Sequence, residues 1–115
     1  MIVADRCLHL QQGEHDVEVP VRIFAPQLDA SAWSCSFEIG WPGEARRATA
    51  FGFDSVQALV LALQMIGAEI YTSDYHKSGT LNWDDPKTSD ARRGYGFPVM
   101  ASIRDKLIGD DAKYL

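Results

Sequence analysis

The sequence lacks several features that would point directly to a function. It has only two cysteines, Cys7 and Cys35, so neither a disulfide framework nor a zinc site built from cysteine pairs is expected. It has no run of about 18 apolar residues, which argues against a transmembrane helix. The N-terminus has neither the basic segment nor the apolar run of a signal peptide. These absences favour a cytoplasmic protein whose cysteines are reduced.

Positive charge is also scarce, since 11 basic and 16 acidic residues give a net charge of -5. This balance argues against non-specific binding to nucleic acid or to an anionic membrane. The segment Gly94-Tyr95-Gly96 is too short for a dinucleotide motif, and the three histidines are scattered. The acidic residues Asp84, Asp85 and Asp90 lack the ligand pattern of a calcium loop. We therefore expect no cofactor and no metal.

One segment carries a clear helix signal, from Ser55 to about Ser73. Asp54 is a preferred N-cap residue, and Gln57 stands where its side chain can bond back to the cap. Six apolar residues have the i, i+3, i+4, i+7 spacing of one helical face: Val56, Leu59, Val60, Leu63, Ile66 and Ile70. This face is predicted to pack on the rest of the protein.

The same segment has a second apolar stripe, which leaves only a narrow polar strip. The stripe comprises Ala58, Leu61, Ala62, Met65 and Ala68. A helix that is apolar nearly all round must be covered on more than one side. One predicted cover is a sheet, and the other is either the C-terminal third of the chain or a second copy of the protein. Gly67 marks either close backbone packing or an early end of the helix.

The chain before the helix alternates apolar and polar residues with a period of two, which is typical of strands. Four strands are predicted: Asp5–Gln12, Val17–Phe24, Trp33–Trp41 and Arg46–Phe53. Residues 26–32 are predicted to be a loop. Pro20 cannot donate to a ladder, so its strand is predicted to lie at an edge or to have an open N–H side there. In the fourth strand, small and large residues occupy opposite faces, and the pattern leaves open which face is inward.

The C-terminal third is less regular. A short strand is predicted at Thr80–Trp83, a polar loop at 84–96, a short helix before Gly109 and a frayed end at 110–115. We predict a single domain over residues 1–115 with an α+β fold. It consists of an antiparallel four- to five-stranded meander sheet packed against one long helix, followed by an irregular C-terminal segment.

Several short patterns together resemble a family of short bacterial proteins known only as a domain of unknown function. They are Trp33-x-Cys35, Trp41-Pro42, the segment from Gly52 to Leu59, Leu81-x-Trp83 and Gly96-Phe97-Pro98. The resemblance spans about residues 33–98. It implies a bacterial source and brings no activity, substrate or catalytic residue to this chain.

Four residues are candidates for partner binding. Trp41 and Trp83 stand at loop edges, where aromatic side chains are enriched in binding sites, although they also serve as covers of small cores. Leu61 and Met65 belong to the second helical stripe. No catalytic residue is predicted, since the cluster at Asp74–Lys77 is accounted for by the preference of basic side chains for a helix C-terminus.

Two functions fit these observations. The first is a non-enzymatic protein-binding module, in one form an immunity- or antitoxin-like protein whose acidic surface masks a basic partner. Its partner is either another protein or a second copy of the chain. The alternative is a small enzyme or ligand-binding domain with a pocket near the helix C-terminus and the 84–96 loop.

Overall fold

The structure is a computed structural model that describes residues 1–84 and 94–115. Its strands are β1 (Ile2–Gln12), β2 (His15–Phe24), β3 (Gln27–Asp29), β4 (Ala32–Ile39), β5 (Arg46–Gly52) and β6 (Leu81–Asn82). Its helices are α1 (Ser55–Tyr71), α2 (Asp74–Lys77), a 3₁₀ helix (Ala101–Lys106) and α3 (Gly109–Tyr114). The predicted α+β fold with one long helix and an irregular C-terminal segment is confirmed.

The described strands form one antiparallel sheet. Along the sheet the order is β5, β4, β2, β1 and β6, and β3 pairs with β4 beyond the end of β2. The predicted meander from β1 to β5 is therefore correct, but the sheet has six strands. The loop prediction for residues 26–32 is wrong, because Gln27–Asp29 pairs with Ala32–Ser34. A tight turn in which Ala30 has a φ of 48° joins these two short runs.

Pro20 lies inside a central strand rather than at an edge. It stands opposite Cys7 on β1, while the pairing of β2 with β4 begins only at Val21. The carbonyl of Pro20 accepts a hydrogen bond from the N–H of Gly40. Pro20 therefore lies just before the first residue of β2 that pairs with β4, so its missing N–H breaks no bond between these strands. This agrees with the second of the two sequence predictions, an open N–H side at Pro20.

Helix α1 begins as its capping residues predict. The carboxylate of Asp54 accepts from the N–H of Gln57 at 2.7 Å, and the Gln57 side chain accepts from the N–H of Phe53 at 2.7 Å. The return bond thus reaches one residue before the cap. The helix ends at Tyr71, two residues earlier than predicted, and a separate turn begins at Asp74.

The buried face of α1 only partly matches the one that the apolar spacing predicted, since Ile66 and Ile70 of that face are buried but the helix is rotated toward its alanines. Ala58, Ala62 and Ile66 are buried against the sheet, whereas Val56 and Val60 are exposed. The small-residue face of β5 explains this rotation, since it is inward and lets the helix approach closely. A Cβ added at Gly52, for example, would lie 2.6 Å from the backbone nitrogen of Ala58.

The C-terminal third covers the second side of α1. At Gly67 the backbone of Pro98 crosses the helix so closely that an added Cβ would lie 1.9 Å from its carbonyl oxygen. Gly67 therefore marks close backbone packing and not a helix end. Tyr95, Phe97 and Val99 are buried in the same core. This cover reaches the C-terminal half of the helix and leaves its N-terminal half open.

The prediction of a frayed end at 110–115 is wrong. Residues Gly109–Tyr114 form α3, and Asp111 within it is only 2% exposed. The side chain of Asp111 accepts hydrogen bonds from Tyr71, Tyr95 and Gly96. These bonds hold α3 against the domain, so this segment is ordered by contacts with residues distant in sequence.

Candidate functional site

Strand β5 forms one edge of the sheet in the described part of the chain. It pairs with β4 along its whole length, from Arg46 opposite Ile39 to Gly52 opposite Trp33. No other described strand pairs with its second side. An edge strand presents a row of backbone donors and acceptors that another extended segment can use.

Large apolar side chains flank this open edge. Phe51 is 65% exposed on the outer face of the sheet, and Phe53, just after the strand, is 95% exposed. Both phenylalanines are exposed because the small residues of β5 occupy the inward positions under α1, and the alternate positions therefore face outward. Exposure of this kind on two neighbouring phenylalanines marks a contact surface more often than an isolated apolar residue does.

The N-terminal half of α1 completes the surface. Leu61 is 37% exposed and lines a cleft of about 390 Å³ with Phe51, Gly52, Phe53 and other residues of this end of the sheet. On the outward side of the helix, Val56 is 66% and Val60 44% exposed. These two valines face away from the cleft, so we define the edge surface as the open side of β5 together with Phe51, Phe53 and Leu61.

The opposite end of β5 is polar, and its charges are paired. Arg46 donates to Glu69 of α1 at 3.1 Å, and Arg47 donates to Glu38 on β4. Glu38 also accepts from Arg22 at 3.2 Å. The hydrogen bond from Arg47 lowers the pKa of Glu38, so this carboxylate stays ionised. The edge strand therefore runs from a charged end to an apolar end.

Of the four predicted binding residues, only Leu61 is in the edge surface. Met65 is half-buried against the core. Trp41 stacks on Tyr75 with ring centroids 5.0 Å apart. Trp83 packs against the guanidinium of Arg6 at 4.0 Å from its ring centroid. Both tryptophans are half-buried on the core, so the structure does not bring the four residues into one site.

Sequence reasoning missed Phe51 and Phe53 as candidates. The alternation of β5 had placed them on one face but could not say whether that face was inward. The signal that decides it is the alanine content of α1, because Ala58 and Ala62 match the small face of the strand. The alanines of α1 and the small residues of β5, considered together, would have predicted that both phenylalanines face outward.

A second cluster, buried and polar, lies at the C-terminal end of α1. Asp111 accepts from the hydroxyl of Tyr71 at 2.5 Å and from the N–H groups of Tyr95 and Gly96 at 2.7 and 2.8 Å. The hydroxyl of Tyr95 lies 2.5 Å from Nδ1 of His76. Burial, and secondly the bond to Asp111, raises the pKa of Tyr71 well above its ordinary value.

This polar cluster occupies the region where the alternative function would place its pocket. Its hydrogen bonds connect α1, the segment at 94–96 and α3, so in the described residues it fastens the C-terminal segment to the domain. Gly94 is part of this fit, since an added Cβ would lie 2.4 Å from Cγ of Asp111. Residues 85–93, which include Asp85, Asp90 and most of the predicted polar loop, are outside the described part.

Two general properties of the described residues bear on the site. Among them, no group of three or more histidine, cysteine, aspartate or glutamate side chains is placed to hold a metal ion. Within the same residues, no helix is long and apolar enough to cross a membrane.

Comparison with known proteins places the chain in a family. The sequence model of a domain of unknown function, DUF6968, matches residues 4–99 and so covers most of the chain. The chain belongs to the DUF6968 family. The matched span includes β5, α1 and Tyr95, and it ends before α3 and Asp111. No curated protein and no solved structure matches this DUF6968 protein.

Proposed function

We propose that this DUF6968 domain is a protein-binding module that accepts an extended polypeptide segment as an added strand at the edge surface. The observation that carries the proposal is the open side of β5 flanked by Phe51 and Phe53. In strand addition, main-chain hydrogen bonds provide affinity and neighbouring apolar side chains provide specificity. The edge surface offers both elements next to each other.

The chemistry of the segment follows from the surface that receives it. On the outer face it meets Phe51, and in the cleft it meets Leu61, so apolar side chains on both faces of the added strand are favoured. A proline at a position that faces β5 is disfavoured because it removes a donor. An immunity- or antitoxin-like role in the cytoplasm was predicted from an acidic surface that masks a basic partner. The edge surface gives this role no support, because it is apolar rather than acidic.

Selection from a display library of random peptides about ten residues long tests this proposal. We expect selected peptides to be extended and rich in β-branched and aromatic residues. Their affinity should fall at least tenfold in the variants Phe51→Lys and Leu61→Glu. The matched control is Val3→Lys, which changes an exposed apolar residue on β1, three strand positions from β5. Peptides that bind all three variants equally would contradict the proposal, as would the absence of binders to a chain that is monomeric.

A further inference from the structure

We infer that the segment added at the edge surface is β5 of a second copy of the chain, so that two sheets join into one across a twofold axis. This inference rests on the proposed function, because it names the occupant of the same site. A twofold contact requires a surface that is complementary to itself. Three features of β5 and α1 meet that requirement.

The first feature is the order of charges along β5. In an antiparallel pair centred on Thr49, Arg47 of one copy stands opposite Phe51 of the other, on the outer face of the sheet. An arginine above an aromatic ring is a favourable pair. A pair centred on Arg47 would instead set like charges directly opposite each other, which is destabilising. The strand is therefore self-complementary in the register centred on Thr49.

The second feature is the position of α1 relative to the edge. The helix packs about equally on β5 and β4. Neighbouring strands lie about 4.8 Å apart, so a helix centred between β5 and β4 would lie roughly 10 Å from its copy across a β5–β5 pair. Packed helices have axes about 8–10 Å apart. The joined sheet would thus bring the two helices into contact without any rearrangement.

The side of α1 that would meet its copy carries Leu61, Met65 and Ala68. Leu61 opens onto the cleft beside β5, whereas Gly67 on the other side meets Pro98. At about 100° per residue, Met65 and Ala68 lie on the same side as Leu61. These three residues belong to the second apolar stripe of the sequence, whose other two members, Ala58 and Ala62, are buried against the sheet.

The third feature is the available area. Phe51 and Phe53 together expose on the order of 300 Å², at about 200 Å² for a complete phenylalanine side chain. Leu61 raises this to roughly 350–400 Å², and the backbone of β5 adds to it. A standard interface buries about 800 Å² on each partner. The apolar side chains of the edge surface supply nearly half of that area, and a contact between two copies would draw the rest from the β5 backbone and the facing side of α1.

Sedimentation equilibrium over a range of protein concentrations tests the inference. The wild-type chain should sediment at twice its mass of 12.8 kDa. Phe51→Lys and Leu61→Glu should sediment as monomers, and the control Val3→Lys as a dimer. Circular dichroism spectra that match the wild type establish that the two monomeric variants are folded. A wild-type chain that is monomeric at all concentrations would overturn the inference.

Disulfide trapping tests the register and does not depend on destabilising variants. In a Cys7→Ser background, Thr49→Cys should form an intermolecular disulfide on mild oxidation, because directly opposite residues have Cα atoms about 4.5–5.5 Å apart. Arg47→Cys should not, because its copy would be offset by four residues, or about 13 Å. Equal trapping at both positions would overturn the proposed pairing.

These results also separate this inference from the proposed function. If the wild-type chain is monomeric but selected peptides bind in a Phe51-dependent manner, the second copy is wrong and strand addition remains. If the chain is monomeric and no Phe51-dependent peptide is found, both fail. A dimer that Phe51→Lys leaves intact would move the contact between copies away from the edge surface and contradict this inference, and the peptide selection alone would then decide the proposed function.

Discussion

The replacement Asp111→Ala should be among the most damaging single changes in the protein. The Asp111 carboxylate is buried and accepts three hydrogen bonds, two of them from the N–H groups of Tyr95 and Gly96. A hydrogen bond to a charged group contributes about 1.5–3 kcal/mol, and each buried donor left without an acceptor costs about 1–3 kcal/mol. Since relaxation and water entry recover part of this, we expect the free energy of unfolding to fall by about 3–5 kcal/mol.

Urea unfolding followed by tryptophan fluorescence measures this loss. The control Asp105→Ala removes an exposed carboxylate from the 3₁₀ helix and should change the free energy of unfolding by less than about 0.5 kcal/mol. Tyr71→Phe removes one of the three donors and should cost about 1–2 kcal/mol. The double variant should lose less than the sum of the single losses, because the two residues share a bond. A loss below about 1 kcal/mol for Asp111→Ala would refute the role given to this carboxylate.

Three further predictions concern packing, pH and thiol chemistry. In urea titrations, Gly67→Ala should lower the free energy of unfolding by about 2 kcal/mol or more. The added methyl group would clash with Pro98, and this clash outweighs the helix-propensity gain of about 1 kcal/mol. A stabilised variant would contradict this packing. Burial and the bond to Asp111 raise the folded-state pKa of Tyr71, so its stabilisation is complete below the unfolded-state pKa of about 10 and is lost above it. Between about pH 9 and pH 11 the wild type should therefore lose more stability in urea than Tyr71→Phe does, and equal losses would count against this assignment. A thiol reagent should modify the exposed Cys7 in the native protein, but slowly near neutral pH, because partial desolvation of the thiol and the charge of Glu18 raise its pKa. The buried Cys35 should react only after unfolding, and two thiols that react at one rate in the native state would be the contrary result.

Local signals in the sequence predicted most of the regular structure. The start of α1 depends on Asp54 and Gln57, which act within one turn, so the sequence was sufficient to place it. The period-two alternation predicted strand β4, and the apolar residues of that alternation, including Cys35 and Phe37, lie on its buried face. Such patterns are reliable because neighbouring residues decide them.

The features that the sequence did not predict depend on distant contacts. Both stripes of α1 are apolar, so its rotation is decided by the small residues of β5 that it meets. Helix α3 is short and carries a buried aspartate, and its order depends on Tyr71, which is 40 residues away. The edge surface required the same tertiary information, because only the packing of α1 determines that Phe51 points outward.

Backbone amide exchange along β5 tests the central claim, that the open edge of this strand accepts another strand, most directly. In an antiparallel ladder, alternate N–H groups of an edge strand face away from its neighbour. If β5 pairs with a second copy, these amides in Arg46–Gly52 become protected as the protein concentration rises, while exchange in β1 stays constant. If exchange in β5 is fast and the same at every concentration, and no selected peptide slows it, the edge surface is not a binding site.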